Sequence, residues 1–172
     1  MVKLFRCEIC GDPYIGDKVP ANCPFCGAKQ EHIKKFDDAE VDFDVELNET
    51  DKANVEHALE VEVSNAAFYF CAAEKVHEEE GKKLFKALGK VEAEHADIWK
   101  KILKLDKIPK GDDPCSVDYQ DDLKEAHTRE TKAIEFYKKA AAESTSERIK
   151  EIFKALVEVE IDHLQLSEER LL

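Results

Sequence analysis

The chain has 172 residues, of which 43% are hydrophobic, and its net charge is −13. This size and composition favour one globular domain, or one domain with a small appendage, that can bury a hydrophobic core. The charge is uneven, because residues 1–36 carry +2 and the rest of the chain carries −15, which indicates two domains. So acidic a main part excludes nucleic acid as an expected partner, since binding to phosphates needs a basic surface.

The sequence also favours a soluble, cytoplasmic protein with no membrane partner. It contains no run of about 18 apolar residues, and the segment 1–7 lacks the apolar core of a signal peptide. Four of the six cysteines form two Cys-x-x-Cys pairs, whereas Cys71 and Cys115 stand alone. This pattern suits a reducing compartment, and neither single cysteine is expected to be catalytic.

The first 36 residues are predicted to bind one metal ion. Their two Cys-x-x-Cys pairs are made of Cys7 with Cys10 and of Cys23 with Cys26. Each pair forms a turn tight enough for both sulfurs to reach one ion, and a glycine follows each pair, where the backbone can adopt a positive φ. Tetrahedral sulfur suits either structural zinc or iron as a one-electron carrier, and the spacing does not distinguish them.

These motifs resemble a rubredoxin domain in the shortened form that is attached to rubrerythrins. The resemblance rests on Cys7-x-x-Cys10-Gly11, Pro20, Cys23-Pro24-x-Cys26-Gly27 and Phe36. Only twelve residues separate the two pairs, and this short interval favours the attached form over a single-chain rubredoxin. The resemblance implies one iron ion in this domain, with zinc as the alternative.

Residues 37–49 are expected to form an extended acidic connector. The apolar residues that alternate with acids there are Ala39, Val41, Phe43, Val45 and Leu47. A period of two puts them on one side of an extended chain, so we expect that side to lie on a neighbouring surface, as a connector or an edge strand. A disordered linker is the alternative, because seven acids in thirteen residues disfavour collapse.

Residues 50–172 are predicted to form a bundle of two helical hairpins, 50–104 and 118–172. The helices are expected at about 50–81, 82–104, 118–143 and 146–170. The first is expected to begin at a cap on Asn48 or Thr50, and Gly81 is a signal for its end.

The segment 105–117 contains Pro109, Gly111 and Pro114 and is predicted to be a loop. Thirteen residues at about 3.3 Å each can span about 40 Å, which exceeds the length of about 30 Å for a 20-residue helix. The loop can therefore be the long crossover between hairpins that a ferritin-like four-helix bundle requires.

The middle of the first helix, residues 66–73, is apolar on every side, unlike the matching residues 134–141 of the third helix. An all-round apolar helix must be covered on all sides. Phe70 and Cys71, whose counterparts are lysines, are therefore expected at a subunit interface of a homodimer or a higher homo-oligomer.

The two hairpins repeat one another at an offset of 68 residues. The segment 91–95 returns as 159–163, and each copy contains a Glu in its first helix and a Glu-x-x-His in its second. Residues three apart share a helix face, so each such Glu and His point to one place. The repeat predicts a dinuclear metal site whose ligands are Glu62, Glu92, His95, Glu130, Glu160 and His163.

A single Glu-x-x-His on a helix is usually a solvated pair, and the prediction depends on its repetition together with Glu62 and Glu130. Four carboxylates beside two divalent ions are nearly neutral, and oxygen and imidazole ligands suit iron or manganese. Tyr69 and Tyr137 lie two turns after ligands, so hydrogen bonding to a ligand carboxylate and plain packing are both open. His127 is either an extra ligand or a surface histidine.

The bundle with these ligands resembles the ferritin-like di-iron proteins, and the whole chain resembles a rubrerythrin of the reverse type, in which the rubredoxin domain precedes the bundle. The resemblance implies that Glu92 and Glu160 bridge two irons, that Glu62 and Glu130 are terminal, and that each histidine binds one iron. Rubrerythrins carry a further Glu three residues after the third-helix ligand, where this chain has Ala133; the counterpart in the first copy is Asn65.

The expected function is an oxidoreductase that reduces hydrogen peroxide to water, with electrons relayed by the rubredoxin-type iron. The resemblance implies a reductase that uses reduced nicotinamide, and the chain has no Gly-rich dinucleotide loop, so the reductase must be a separate protein. A ferritin-like ferroxidase or iron-storage protein that uses dioxygen is the main alternative. A non-enzymatic metal-binding module with a zinc clip is another, and zinc or manganese could replace iron at either site.

Overall fold

The computed structural model describes all 172 residues and contains a small three-stranded sheet followed by four long helices. The strands are β1 (Lys3–Cys7), β2 (Pro13–Gly16) and β3 (Ile33–Lys35). The helices are α1 (Glu49–Lys75), α2 (Glu79–Ile102), α3 (Tyr119–Glu143) and α4 (Glu147–Glu168). The predicted fold class, a mainly α four-helix bundle with a small N-terminal metal-knuckle domain, is confirmed. None of the helices is long and apolar enough to span a membrane.

The N-terminal sheet holds the first cysteine pair in place. The strand order is β2-β1-β3 and all pairs are antiparallel, with Leu4 opposite Ile15 and Cys7 opposite Ile33. Cys7 therefore lies at the end of the central strand. A bridge between Asn22 and Lys29 closes the loop that carries the second pair.

Helices α1, α3 and α4 begin at side-chain caps. Asn48 Oδ1 accepts a hydrogen bond from the backbone N–H of Asp51 at 2.7 Å, so Asn48 rather than Thr50 is the cap of α1. Asp118 and Ser146 cap α3 and α4 in the same way. These caps satisfy backbone donors that a helix N-terminus leaves without partners.

The prediction that Gly81 ends the first helix is wrong, because α1 ends at Lys75 and Gly81 lies in the first turn of α2. A Cβ atom at this position would lie 2.8 Å from the ring of Tyr119, at the start of α3. Gly81 is therefore a site of close packing between two helices rather than a helix stop.

The connector begins in a short 3-10 helix, Phe36–Asp38, and its residues 39–48 form neither a helix nor a strand of the sheet, while the predicted period of two is seen in their burial. Its apolar residues are all half-buried and its acids are exposed, and Phe43, Val45 and Leu47 pack against the main hydrophobic core. The guanidinium of Arg148 and the ammonium of Lys101 lie over the ring of Phe43. These contacts hold the connector on the bundle.

The loop between α2 and α3 lies along α1, where it covers part of the apolar surface of that helix. Ile108, Pro109 and Gly111 line a small apolar pocket together with Ala67 and Phe70 of α1. The interpretation of Cys71 and Cys115 as single cysteines is wrong, because they form a disulfide between α1 and this loop. No local sequence pattern predicts this pairing, because the two cysteines are 44 residues apart. The expected subunit interface at Phe70 and Cys71 stays a prediction.

The disulfide predicts a measurable contribution to stability. Reducing it, or replacing both cysteines by alanine, should lower the free energy of unfolding by about 2–4 kcal/mol, because the bond closes a loop of 44 residues in the unfolded chain. Denaturant titration of the wild type with and without dithiothreitol measures the difference, and the double variant is the control that should not respond to the reductant. A wild type whose unfolding midpoint ignores the reductant would contradict this prediction.

Candidate metal centres

The six residues of the repeated motif converge in the middle of the bundle. Glu62 comes from α1, Glu92 and His95 from α2, Glu130 from α3, and Glu160 and His163 from α4. All four carboxylates and His95 are 0% exposed, and His163 is 6% exposed. The bundle therefore gathers four acids and two imidazoles in a space that water barely reaches.

These residues form two overlapping groups of potential ligands. Glu62, Glu92, His95 and Glu160 make one group, and Glu92, Glu130, Glu160 and His163 make the other. Within each group the ligand atoms all lie within 4.8 Å of one another. Glu92 and Glu160 belong to both groups, which is the placement that two carboxylates bridging a pair of ions would need.

The donor set fits a pair of divalent cations. Eight side-chain oxygen and nitrogen atoms of these six residues are buried without any hydrogen-bond partner. Buried polar atoms in proteins are nearly always paired, so such a cluster calls for ions to satisfy it. Four carboxylates would balance two divalent ions, and carboxylate with imidazole suits iron or manganese.

Both imidazoles present Nδ1 to the carboxylates. His163 Nδ1 lies 2.9 Å from oxygens of Glu92 and of Glu160, and His95 Nδ1 lies 3.1 Å from Glu160. The other nitrogen of His95, Nε2, lies 2.9 Å from the backbone carbonyl oxygen of Cys26. Because a carbonyl only accepts, Nε2 carries the proton and Nδ1 is free to bind a metal.

The two tyrosines link the hairpins. Tyr69 on α1 donates a hydrogen bond to Glu130 on α3, and Tyr137 on α3 donates one to Glu62 on α1. Both phenols are fully buried. Burial, together with the neighbouring carboxylates, raises the pKa of each tyrosine well above its usual value, so the phenols keep their protons. Each tyrosine thus fixes one ligand oxygen of the opposite hairpin.

Without metal, the cluster holds protons unevenly. Burial and the charge of Glu92 raise the pKa of Glu62 well above its usual value, and burial does the same for Glu130. Burial alone would also raise the pKa of Glu92, but the adjacent Glu62 carboxyl and the two imidazoles hold the pKa of Glu92 well below its usual value. In the metal-free chain, Glu62 and Glu130 therefore hold protons more tightly than Glu92 does.

The four cysteines of the N-terminal domain form a second candidate metal centre. The Cys7 and Cys26 sulfurs are 3.8 Å apart, as are those of Cys10 and Cys23, and all four residues are buried. Four sulfurs bonded tetrahedrally at about 2.3 Å to one ion are about 3.8 Å apart. The hydrogen bond between the Cys10 and Cys23 sulfurs raises the pKa of Cys10 and lowers that of Cys23, as expected for two neighbouring thiols that share one proton.

The glycines after the two cysteine pairs adopt the left-handed backbone conformation that the sequence predicts. Gly11 has φ 85° and Gly27 has φ 77°. The N–H of each glycine donates to the carbonyl of the first cysteine of its pair, Cys7 or Cys23, at 2.9 and 3.0 Å. The turns that bring the sulfurs together are thus closed by backbone hydrogen bonds.

The four-cysteine domain is seated on α2 and α4 of its own chain. Besides the bond between His95 and Cys26, Lys101 Nζ donates to the carbonyl oxygen of Cys10 at 3.0 Å. A Cβ atom on Gly27 would lie 2.8 Å from Val159 of α4, so only glycine permits this approach. No role was predicted for Lys101, because its partner is a backbone atom 91 residues away.

Several acids and a histidine that are near the ligands in sequence lie outside the dinuclear cluster. Asp162, between the α4 ligands, pairs with Lys29 of the four-cysteine domain, and Glu94 is half-buried. His127 lies 3.3 Å from Glu168 and does not join the cluster. Helix α3 is regular from Tyr119 to Glu143, so no bulge brings a further acid to the place of Ala133. The cluster therefore keeps six candidate ligand residues.

Comparison with known families covers both centres. A family model described as Rubrerythrin matches residues 53–169, and one described as the rubredoxin-like domain of rubrerythrin matches residues 5–34. These ranges include the dinuclear cluster and the four cysteines. Separate comparisons of the chain with curated proteins and with solved structures find no match.

The proton balance of the cluster predicts how pH affects the metal-free protein. The raised pKa values of Glu62, Glu130 and both histidines mean that these four residues bind more protons in the folded chain than in the unfolded chain above about pH 4.5. Their contribution to the free energy of unfolding should therefore fall as the pH rises from about 5 to 8. The depressed pKa values of Glu92 and Glu160 act only below this range, whereas the depressed pKa values of Cys7 and Cys23 act in the opposite direction within it.

Denaturant titration of the chelator-treated protein at several pH values measures this slope. Replacing Glu62 and Glu130 by glutamine removes two of the titrating groups, so the double variant should show a smaller slope. Metal-loaded protein should lose most of the slope, because bound cations replace the protons. A double variant whose slope equals that of the wild type would contradict the proton assignment.

Proposed function

This chain belongs to the rubrerythrin family, and we propose that it reduces hydrogen peroxide to water with electrons that enter through the four-cysteine centre. The observation that carries the proposal is the hydrogen bond between His95 Nε2 and the carbonyl of Cys26. It joins a residue of the one-electron centre to a ligand of the two-metal centre. A pair of centres connected in this way suits stepwise electron delivery to a two-electron reduction.

Iron is the proposed ion in both centres. Bound at the dinuclear cluster, two ferrous ions would supply two electrons to hydrogen peroxide, which with two protons yields two molecules of water. The four cysteines would hold a third iron, which would supply one-electron transfer by alternating between its ferrous and ferric states.

Residues of the chain orient the candidate metal ligands and exclude water from the dinuclear cluster. Tyr69 and Tyr137 each hold one oxygen of a terminal carboxylate, so Glu130 and Glu62 present their remaining oxygens to the ions. The near-complete burial of the cluster strengthens these interactions and limits the loss of oxidising equivalents to solvent. His95 is held on both sides of its ring, which fixes the nitrogen that faces the ions.

The proposed electron path runs within one chain. From the Cys26 sulfur it follows covalent bonds to the carbonyl oxygen, crosses one hydrogen bond of 2.9 Å and enters the His95 ring. Electronic coupling falls steeply across empty space, so a path of bonds with one short gap favours fast transfer. The contacts of Lys101 and Gly27 keep this gap closed. A separate reductase is the proposed electron donor.

The second candidate function is a ferroxidase that oxidises bound ferrous iron with dioxygen. The specific observation in its favour is the six-residue ligand set, because the buried methyl group of Ala133 occupies the position of the further Glu. This function would not need the four-cysteine centre as an electron source.

The leading proposal predicts that peroxide reoxidises both centres. When the fully reduced, iron-loaded protein, which holds three electrons per chain, is mixed with two equivalents of hydrogen peroxide under argon, the visible thiolate-to-iron band should return within seconds. The same protein should react more slowly with dissolved dioxygen. A band that stays bleached with peroxide, or returns faster with dioxygen, would contradict the peroxidase proposal.

The path within one chain predicts that two defective chains cannot complement each other. One variant, Glu92→Ala with Glu160→Ala, keeps only the four-cysteine centre, and the other, Cys23→Ser with Cys26→Ser, keeps only the dinuclear centre. Co-expressed, they should show no more peroxide-dependent oxidation of the reductase than either variant alone. Recovery of activity in the mixture would show transfer between subunits instead, and a co-expressed wild type serves as the positive control.

A further inference from the structure

A cavity of about 340 Å³ lies between α1 and α3. All of its lining residues belong to these two helices, whereas the four-cysteine domain lies against α2 and α4. The cavity therefore approaches the bundle from a face that the electron path does not use. It has no role in the function proposed above.

The floor of the cavity lies next to the dinuclear cluster. Asn65 follows Glu62 by three residues and Ala133 follows Glu130 by three, so each lies one turn from a ligand on the same helix face. Both line the cavity and each is only 3% exposed. The small side chain of Ala133 leaves space where a longer residue would close the floor.

The amide of Asn65 has a defined orientation. Arg129 Nη1 lies 3.4 Å from Asn65 Oδ1 and 3.0 Å from the Ser64 hydroxyl. A guanidinium only donates, so the oxygen of the amide must face Arg129 and the NH₂ group must face the other way. Asn65 Nδ2 is buried and has no hydrogen-bond partner. A buried donor without an acceptor is costly, so this position calls for a small acceptor.

Arg129 is itself held firmly. Asp113 of the crossover loop accepts from its Nη2 at 3.0 Å, Glu125 accepts from its Nε at 2.9 Å, and the guanidinium lies 4.4 Å from the centre of the Phe68 ring. Arg129 thus acts as a positioning residue for Asn65. The cavity lining thus contains the paired charges of Arg129 and Glu125 together with the exposed cation Lys132.

We infer that Asn65 binds the small oxidant of the dinuclear centre by donating a hydrogen bond from Nδ2, and that the α1/α3 cavity is its entrance. The ligand class is a molecule of two or three heavy atoms with lone pairs, such as peroxide, dioxygen or a small anion in their place. The inference rests on the proposed function, because it assigns the oxidant of that function to a place in the chain.

Azide is the probe for this site, because it is a three-atom anion and its binding to the oxidised, iron-loaded protein is followed by absorbance. Asn65→Leu keeps the approximate shape of the side chain and removes the donor. It should weaken azide binding about tenfold, the effect of losing one hydrogen bond to an anion, with unchanged iron content. Arg129→Gln should weaken it as well, because the amide of Asn65 is no longer oriented.

Lys139→Gln on the exposed side of α3 is the matched control and should bind azide like the wild type. Ala133→Leu fills the floor of the cavity and gives a second, steric test, in which azide binding should be slower and weaker. The oxidation rates of the reduced Asn65→Leu protein by peroxide and by dioxygen then show which oxidant uses the site.

Unchanged azide affinity in both Asn65→Leu and Ala133→Leu, at wild-type iron content, would overturn the inference. That result would leave the proposed function intact. A wild type that binds azide but does not reoxidise with peroxide would instead overturn the proposed function alone.

Discussion

Four carboxylates buried in one place are stable only beside compensating positive charge, and this constraint shapes the bundle. Glu62, Glu92, Glu130 and Glu160 are fully buried and each comes from a different helix. Two divalent cations would neutralise them and at the same time connect all four helices. The metal-free chain keeps some of these acids protonated instead, so metal binding and the stability of the fold are coupled.

His95 connects this buried cluster with the rest of the molecule. One nitrogen of its ring faces the carboxylates, and the other holds the carbonyl of Cys26. Lys101, almost two turns further along α2, holds the carbonyl of Cys10. The same helix therefore orients a ligand of the dinuclear centre and fixes the last cysteine of each pair in the four-cysteine centre, so the distance between the two centres is set by one rigid element.

The candidate site was largely predictable because its signals are local and repeated. The offset of 68 residues selected six ligands among 39 acids and six histidines, and helical geometry predicted that they share a face. What could not be predicted depends on contacts between distant segments. Three such contacts join residues whose separation in sequence has no periodic pattern. They are the hydrogen bonds from each tyrosine to a carboxylate of the other hairpin, the Cys71–Cys115 disulfide and the packing of Gly27 against Val159. The prediction that Gly81 ends a helix failed for the same reason, because this glycine permits close packing against Tyr119 and does not mark a helix end.

We propose that one chain joins a one-electron iron centre to a dinuclear iron centre, and elemental analysis of protein purified without added metal is the decisive measurement. We expect about three iron atoms per chain and no zinc, one held by four thiolates and two by carboxylates and histidines. One zinc and two irons per chain would contradict it, because a zinc ion in the four-cysteine centre cannot carry electrons.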